Sequence, residues 1–364
     1  MEIWVPYGEV ESLITLMQEN LGETLDPRPE SHLDEMVVTL LERLKGAERI
    51  FILDLKPATV KVVKALVARL PKEGVRFVAA EPRKLESEVP ELKDLVLKLR
   101  PPAGSTKATR VSPDLQEPTK KFSIATGEPD PLLGFIDAPV ALAMSCIEGA
   151  RRLAYERRDG DAPQPLREDS PSYSAVRSLF EGSGANDAGY ATIITRGGAP
   201  YSIVEGDAVK QARTHYLSDE VPQTKGMVVG VGGKGYDDSL SHAIRLAVGS
   251  LKGVRKGGEI VLVAECKEGM GSEALQLYLT GRMSESFLKR GSYVESLEEI
   301  SYVLDLREKY SVTLISSLPE LYAGGKLRFR TARGSGEALG KVFASIGRNA
   351  KLNVVTRACE TVLP

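Results

Sequence analysis

Apolar positions along the chain alternate between two spacings. IFILDL (50–55) and VRFVAA (75–80) are short, nearly continuous apolar runs, which read as strands covered on both faces. Between them, residues 57–70 set Val60, Val63, Leu66, Val67 and Leu70 at helical spacing, so the segment predicts a βαβ unit with parallel strands. A helix over 33–45 precedes it, with Met36, Val37, Leu40, Leu41 and Leu44 on one face. FSIATG (122–127) reads as a further strand and PVALAMSCIEGARRLAYERR (139–158) as a helix with Pro139 in its first turn. Ser170 before Pro171 suits the N-cap of another helix, and ATIITRGGAPYSIVEG (191–206) an antiparallel hairpin turning at RGGAP. PPAGSTKATRVSPDLQEPTKK (101–121), rich in prolines and turn formers, reads as a surface loop or a crossing between layers.

THYLSDEVPQTK (214–225) breaks the pattern, which then starts again. GMVVGVG (226–232), EIVLVAEC (259–266), VTLISSL (312–318) and KLNVVT (351–356) read as strands, separated by helices over 238–253, 295–310 and 337–347. The fold expected is α/β with two domains, residues 1–215 and 216–364, each a mostly parallel sheet with helices on both faces.

Composition narrows the class. The 364 residues are 42 % hydrophobic, ample for such cores, and the net charge of −2 with 6 % aromatics argues against a nucleic-acid partner. The opening MEIWVPYGEV lacks the basic and apolar regions of a signal peptide, and no apolar run is long enough for a membrane span. Three cysteines, Cys146, Cys266 and Cys359, lie far apart, which fits a reducing cytoplasm better than a disulfide framework. Cys146 sits among small apolar residues and reads as packing. Cys266, beside Lys267 and a glycine turn, is the thiol whose surroundings could activate it. Scarce Asn and Gln beside plentiful Glu, Lys, Arg and Val suggest a thermophile.

The densest chemistry is GVGGKGYDDSLSHAIRLA (230–247). Gly230, Gly232 and Gly235 match G-x-G-x-x-G, but in a dinucleotide site the helix opens between the glycines. Here it cannot begin before Asp237 or Asp238, whose carboxylates would stand where phosphates belong. Leu240, Ala243, Ile244, Ala247, Val248 and Leu251 form the apolar stripe of the helix that follows. Asp238, His242 and Arg245 share the other face at i, i+4 and i+7, either as a solvated, charge-paired surface or as the wall of an interdomain cleft that takes an anion. Lys56 and Arg83 follow consecutive parallel strands at their carboxyl ends and could clamp a carboxylate. KEGMGSE (267–273) could offer backbone amides at the same kind of edge.

GGKGYDDSLSHAIRLA and VRKGGEIVLVAECKEGMGSE (254–273), with later segments in matching order, resemble the C-terminal domain of the nickel-pincer lactate racemase family. Upstream, VPYG (5–8), LDLKPAT (53–59) and GEPDPLLGFIDAPVALAMSCIEG (127–149) sit where that family has its opening strand, Asp-His-Thr-Arg-Pro and the cofactor-attachment block, so the resemblance spans nearly the whole chain. It implies the family's two-domain fold. It also implies racemisation of 2-hydroxy acids by hydride transfer to a nickel pincer tethered through a lysine, with two histidines as acid and base.

Carried across residue by residue, the resemblance puts Val140 at the tethering lysine, Asp130 at one catalytic histidine and Glu156 near the nickel-ligand histidine. AEPRK (80–84) holds no histidine where the other is expected, His242 and Arg245 take the place of a substrate-binding Gln and Lys, and Lys56 that of an arginine. Valine cannot form the covalent bond. The expectation is a cytoplasmic protein of this scaffold without nickel-pincer chemistry and with no cofactor, binding a small anionic metabolite such as a hydroxy acid, or acting as a non-catalytic partner or homo-oligomer. The substrate contacts are then Lys56, Arg83, Asp238, His242 and Arg245, and any acid–base work falls to Asp130, Glu156 or His242. The alternative is an active 2-hydroxy acid racemase or epimerase that holds the nickel pincer non-covalently.

Overall fold

A computed structural model describes residues 1–70, 74–102, 110–160, 162–183, 188–204, 206–289 and 293–364, so part of the expected loop at 101–121 lies outside the described residues. The strands are β1 Glu2–Tyr7, β2 Val10–Thr15, β3 Leu21–Leu25, β4 Arg49–Ile52, β5 Arg76–Ala79, β6 Val96–Lys98, β7 Lys121–Thr126, β8 Glu128–Asp130, β9 Gly134–Ile136, β10 Gly189–Arg196 and β11 Ala199–Ile203, followed by β12 Thr224–Gly230, β13 Val254–Val263, β14 Ser311–Ile315, β15 Arg330–Ala332 and β16 Leu352–Val355. The helices are α1 Leu33–Arg43, α2 Pro57–Val67, α3 Pro82–Glu88, α4 Pro113–Gln116, α5 Ala138–Cys146, α6 Ala150–Glu156, α7 Pro171–Gly182 and α8 Ala208–Tyr216, then α9 Leu240–Ala247, α10 Glu273–Leu279, α11 Glu298–Lys309, α12 Glu320–Gly324 and α13 Ser335–Ile346.

Two six-stranded sheets organise the molecule. The first runs β11-β10-β7-β4-β5-β6, parallel except for the β10–β11 hairpin. Met36, Leu40, Val63 and Leu66 of α1 and α2 cover one face with Ile50, Phe77 and Ile124. Leu142, Cys146 and Val176 of α5 and α7 cover the other with Phe51 and Val78. The second sheet runs β15-β14-β13-β12-β16-β3 and is parallel throughout. Side chains of α9, α10 and α11 fill one of its faces, and α13 with the β1–β2 hairpin the other. The fold is therefore α/β with two sheets dominated by parallel pairs and covered on both sides, because strands buried on both faces need apolar cover above and below.

Three local features depart from the sequence pattern. Residues 1–25 were expected in the N-terminal domain, yet β3 pairs with β16, and Ile3, Val5 and Ile14 pack on Val228, Val261 and Val263 of the second sheet. The helix expected over 139–158 breaks into α5 and α6 at Gly149, whose left-handed φ of +79° an L-residue rarely adopts. The helix expected over 238–253 is α9 followed by a 3-10 turn at Val248–Gly253, and Ser239 caps it. Ser170 caps α7 through a bond accepted from the Tyr173 amide at 3.3 Å, as its position before Pro171 suggests.

Candidate functional site

The carboxyl ends of β4, β5 and β7 face the turn before α9 and the turn after β13 across a cleft of about 430 Å³. Parallel sheets leave a crevice of this kind beyond their carboxyl edge, where strand ends and helix starts diverge. Asp54 shapes the first wall. Its Oδ1 accepts from the Lys56 amide at 3.0 Å and the Thr59 hydroxyl at 2.7 Å, and its Oδ2 from the Thr126 amide at 2.7 Å. Lys56 is thereby fixed just before Pro57 opens α2. On the second wall Gly235 adopts φ +81°, and a Cβ there would lie 3.2 Å from the Lys56 Cα, so glycine lets the two walls meet.

The glycine turn does not form a phosphate cradle. The Lys234 amide donates to the Gly8 carbonyl at 2.7 Å, and the Tyr236 and Asp237 amides to the Gly233 carbonyl at 2.9 and 3.1 Å. In the 267–273 turn, the Glu268 amide donates to the Asp238 carbonyl and that of Gly269 to the Cys266 carbonyl. These N–H groups are consumed inside the protein.

At the floor of the cleft stands Glu128, at the start of β8 and 3 % exposed. Its Oε2 lies 2.7 Å from the Lys56 Nζ and 3.1 Å from the His242 Nε2, while its Oε1 accepts from Arg245 at 2.7 Å. Burial pushes the Glu128 carboxyl upward, but Lys56 first, then His242 and Arg245, outweigh it and hold the group well below the usual carboxylate range. Burial pushes His242 below its ordinary value, Arg245 and Lys56 reinforce that, and Glu128 only partly opposes it. Lys56 also donates to the Thr126 carbonyl at 3.3 Å and lies 5.4 Å from the centre of the buried Tyr236 ring.

Asp130 belongs to the same cluster. It is fully buried, its Oδ1 accepts from the Leu132 and Leu133 amides at 2.9 and 2.8 Å, and its Oδ2 lies 3.5 Å from the Arg245 Nε. Arg245 is thus held between two carboxylates. α9 can present it because Leu240, Ala243, Ile244 and Ala247 are buried against the second sheet, leaving His242 and Arg245 one turn apart on the cleft side. Burying each of the larger two stabilises by about 1.5–3 kcal/mol, so a charge at Ile244 would dislodge the helix.

Of the residues expected at the site, Lys56, Asp130, His242 and Arg245 converge. Asp238 lines the cleft but precedes the helix, and its partner is Lys267 at 3.1 Å rather than His242 or Arg245. Arg83 is a correction: it is exposed in the first turn of α3, and Lys84 is the side chain that borders the cleft, 3.3 Å from Glu268. Glu156 is another. The buried face of α6 is Ala150, Ala154 and Tyr155, so Glu156 lies on the exposed face and pairs with Arg152 at 2.7 Å. Arg151 of that helix lines the cleft instead, and its Nε donates to Glu298 of α11 at 2.7 Å. The central carboxylate, Glu128, was not singled out by its sequence. GEPD carries no periodicity, and a polar residue after a strand is ordinarily a turn.

No protein-family model matches the chain, and a search of curated proteins finds no match. Among solved structures the chain is similar to the lactate racemase apoprotein from Thermoanaerobacterium thermosaccharolyticum, with a TM-score of 0.77, 15 % sequence identity and 100 % of each chain covered. It is also similar to a Thermotoga maritima protein solved in a structural genomics programme, with a TM-score of 0.64, 12 % identity, and 93 % of this chain and 100 % of that one covered. At such identities the likeness is one of architecture: the fold is lactate racemase-like.

Proposed function

We propose that the protein binds a small anionic metabolite of the hydroxy acid class in the cleft between its two sheets, through Lys56, His242 and Arg245, and without nickel-pincer chemistry. One observation carries the reading. Three donors from two separate places in the chain, Lys56 before α2 and His242 with Arg245 on α9, converge on a single carboxylate, that of Glu128, at 2.7 to 3.1 Å. A group of donors desolvated and oriented for one carboxylate is equally suited to another. The ligand exchanges for the Glu128 side chain, and Asp130 keeps the Arg245 guanidinium aligned as it does so.

The side chains present do not fit the lysine-tethered nickel pincer. Along α5, the residues that border the cleft are Ala141, Met144 and Ser145, and Val140 is fully buried in the core. His242 is the histidine that lines the cleft, and its Nε2 is turned onto Glu128. His32 and His215 instead each make an edge contact with Tyr201, with ring centres 5.1 and 5.2 Å away. Among the described residues, soft or imidazole donors for nickel are therefore not gathered around one point.

The test is thermal unfolding of the full chain with D- and L-lactate, glycolate, malate and tartrate, for the wild type, Glu128→Gln and Arg245→Glu. The expected result is a ligand-dependent rise in Tm that is larger in Glu128→Gln, where the internal competitor is gone, and absent in Arg245→Glu. No shift with any acid in both the wild type and Glu128→Gln overturns the reading. Stoichiometric nickel with racemase activity, in protein from cells that make the cofactor, overturns its second half.

A further inference from the structure

At the rim of the cleft, at the carboxyl edge of the second sheet, three acidic side chains meet. Asp237 and Asp238 come from the turn after β12 and Glu265 from the turn after β13, and one oxygen of each lies within 4.8 Å of the others. Proximity of acids alone would mean little. The telling group is Asp237, which is fully buried. Its Oδ2 accepts from the Gly8 amide at 2.8 Å and the Glu265 amide at 3.1 Å, while among the described residues its buried Oδ1 has no hydrogen-bond partner. Glu265 likewise keeps a buried Oε2 without a hydrogen bond. The Gly8 backbone closes over this carboxylate so tightly that a Cβ would lie 2.1 Å from Glu265 Oε2. One ammonium stands beside the group: Lys267 Nζ is 3.1 Å from Asp238 Oδ1 and 4.0 Å from Glu265 Oε2. That side chain is 38 % exposed, so it can swing into solvent.

We propose that Asp237, Asp238 and Glu265 form a binding site for a hard divalent cation, with the Lys267 ammonium as its internal competitor. Buried carboxylate oxygens without donors are costly to keep, and a cation supplies what the amides do not. An all-oxygen set suits magnesium, manganese or calcium. The two amide bonds fix the Asp237 carboxylate, so that Oδ1 is presented without an ordering cost. The site borders the same cleft through Asp238 but uses none of the groups that hold Glu128, and it does not rest on that reading.

The experiment uses the full chain freed of metal by a chelator and titrated with manganese, following loss of the free-ion EPR signal. The expected result is one manganese ion per chain, with magnesium or calcium competing. Affinity falls at least tenfold in Glu265→Gln and Asp237→Asn and rises in Lys267→Met. If Asp237→Asn fails to fold by circular dichroism, Glu265→Gln decides alone. An undiminished free-ion signal in both the wild type and Lys267→Met overturns the proposal. So does a Glu265→Gln variant that binds manganese as the wild type does.

Discussion

The Lys56 ammonium and the Glu128 carboxylate meet 2.7 Å apart with only 7 % and 3 % of their residues exposed. Neither would be stable there alone. Each ion loses several kcal/mol of hydration on burial, and the pair persists because His242 and Arg245 complete the coordination of the carboxylate. Glu128→Gln takes the counter-charge from Lys56 and leaves Arg245 with Asp130 alone, and is expected to lower stability by about 3 kcal/mol. Urea unfolding measures this, and added hydroxy acid should restore part of the loss in the variant.

His242 gives the cleft a pH response. Its folded value lies below the 6.5 of an unfolded histidine, so the folded state binds fewer protons than the unfolded one as pH drops through that range. Its contribution is complete above pH 6.5 and is lost as pH falls through the lowered folded value. Glu128 adds a second loss further down, below the unfolded carboxyl value of about 4.3. His242→Gln should flatten the upper part of the stability profile between about pH 5 and 7 and leave the lower part in place. A histidine ring proton that titrates above pH 6.5 by NMR would contradict this.

Glu299 works in the opposite direction. Burial, opposed by Arg151 and aided by Glu298, raises its carboxyl to about 7. An acid raised in the fold contributes most below its unfolded value and loses that contribution as pH rises through 7. Glu299→Gln is therefore expected to stabilise the protein at pH 8 by roughly 1–2 kcal/mol while changing little near pH 5. Melting temperatures across that range provide the check.

The cysteines should be inert. Burial pushes the Cys146 thiol up to about 12, and burial with Asp237 and Glu265 nearby raises Cys266 further. Cys359 is enclosed as well, so the activated thiol considered at Cys266 has no thiolate at neutral pH. A colorimetric thiol reagent at pH 8 should label none of the three in the native protein and all of them in denaturant.

What could be read from the sequence was whatever is fixed by local period. IFILDL became β4, its neighbours the parallel strands around it, and the RGGAP turn the β10–β11 hairpin, since burial on two faces or one dictates those patterns. His242 and Arg245 could be placed on one helix face by the same rule. Which side of a charged helix faces a cleft is set by packing with distant elements, and that is why Arg83 and Glu156 fell outside while Lys84 and Arg151 turned inward. Glu128 was illegible because its partners lie on other elements: His242 and Arg245 stand 114 and 117 residues further along, and no local pattern encodes such a meeting.

The second sheet joins segments far apart in the chain, with Leu21 beside Leu352 and Leu25 beside Val355. A ribosome releases the first of these segments long before it makes the second. Until β12 and β13 are made, the β1–β2 hairpin carries an oily side, Ile3, Val5, Ile14 and Leu16, whose resting place does not yet exist. The newborn chain can close its first sheet on schedule, but this earlier hairpin must wait, sticky and unhoused, for the second sheet to arrive.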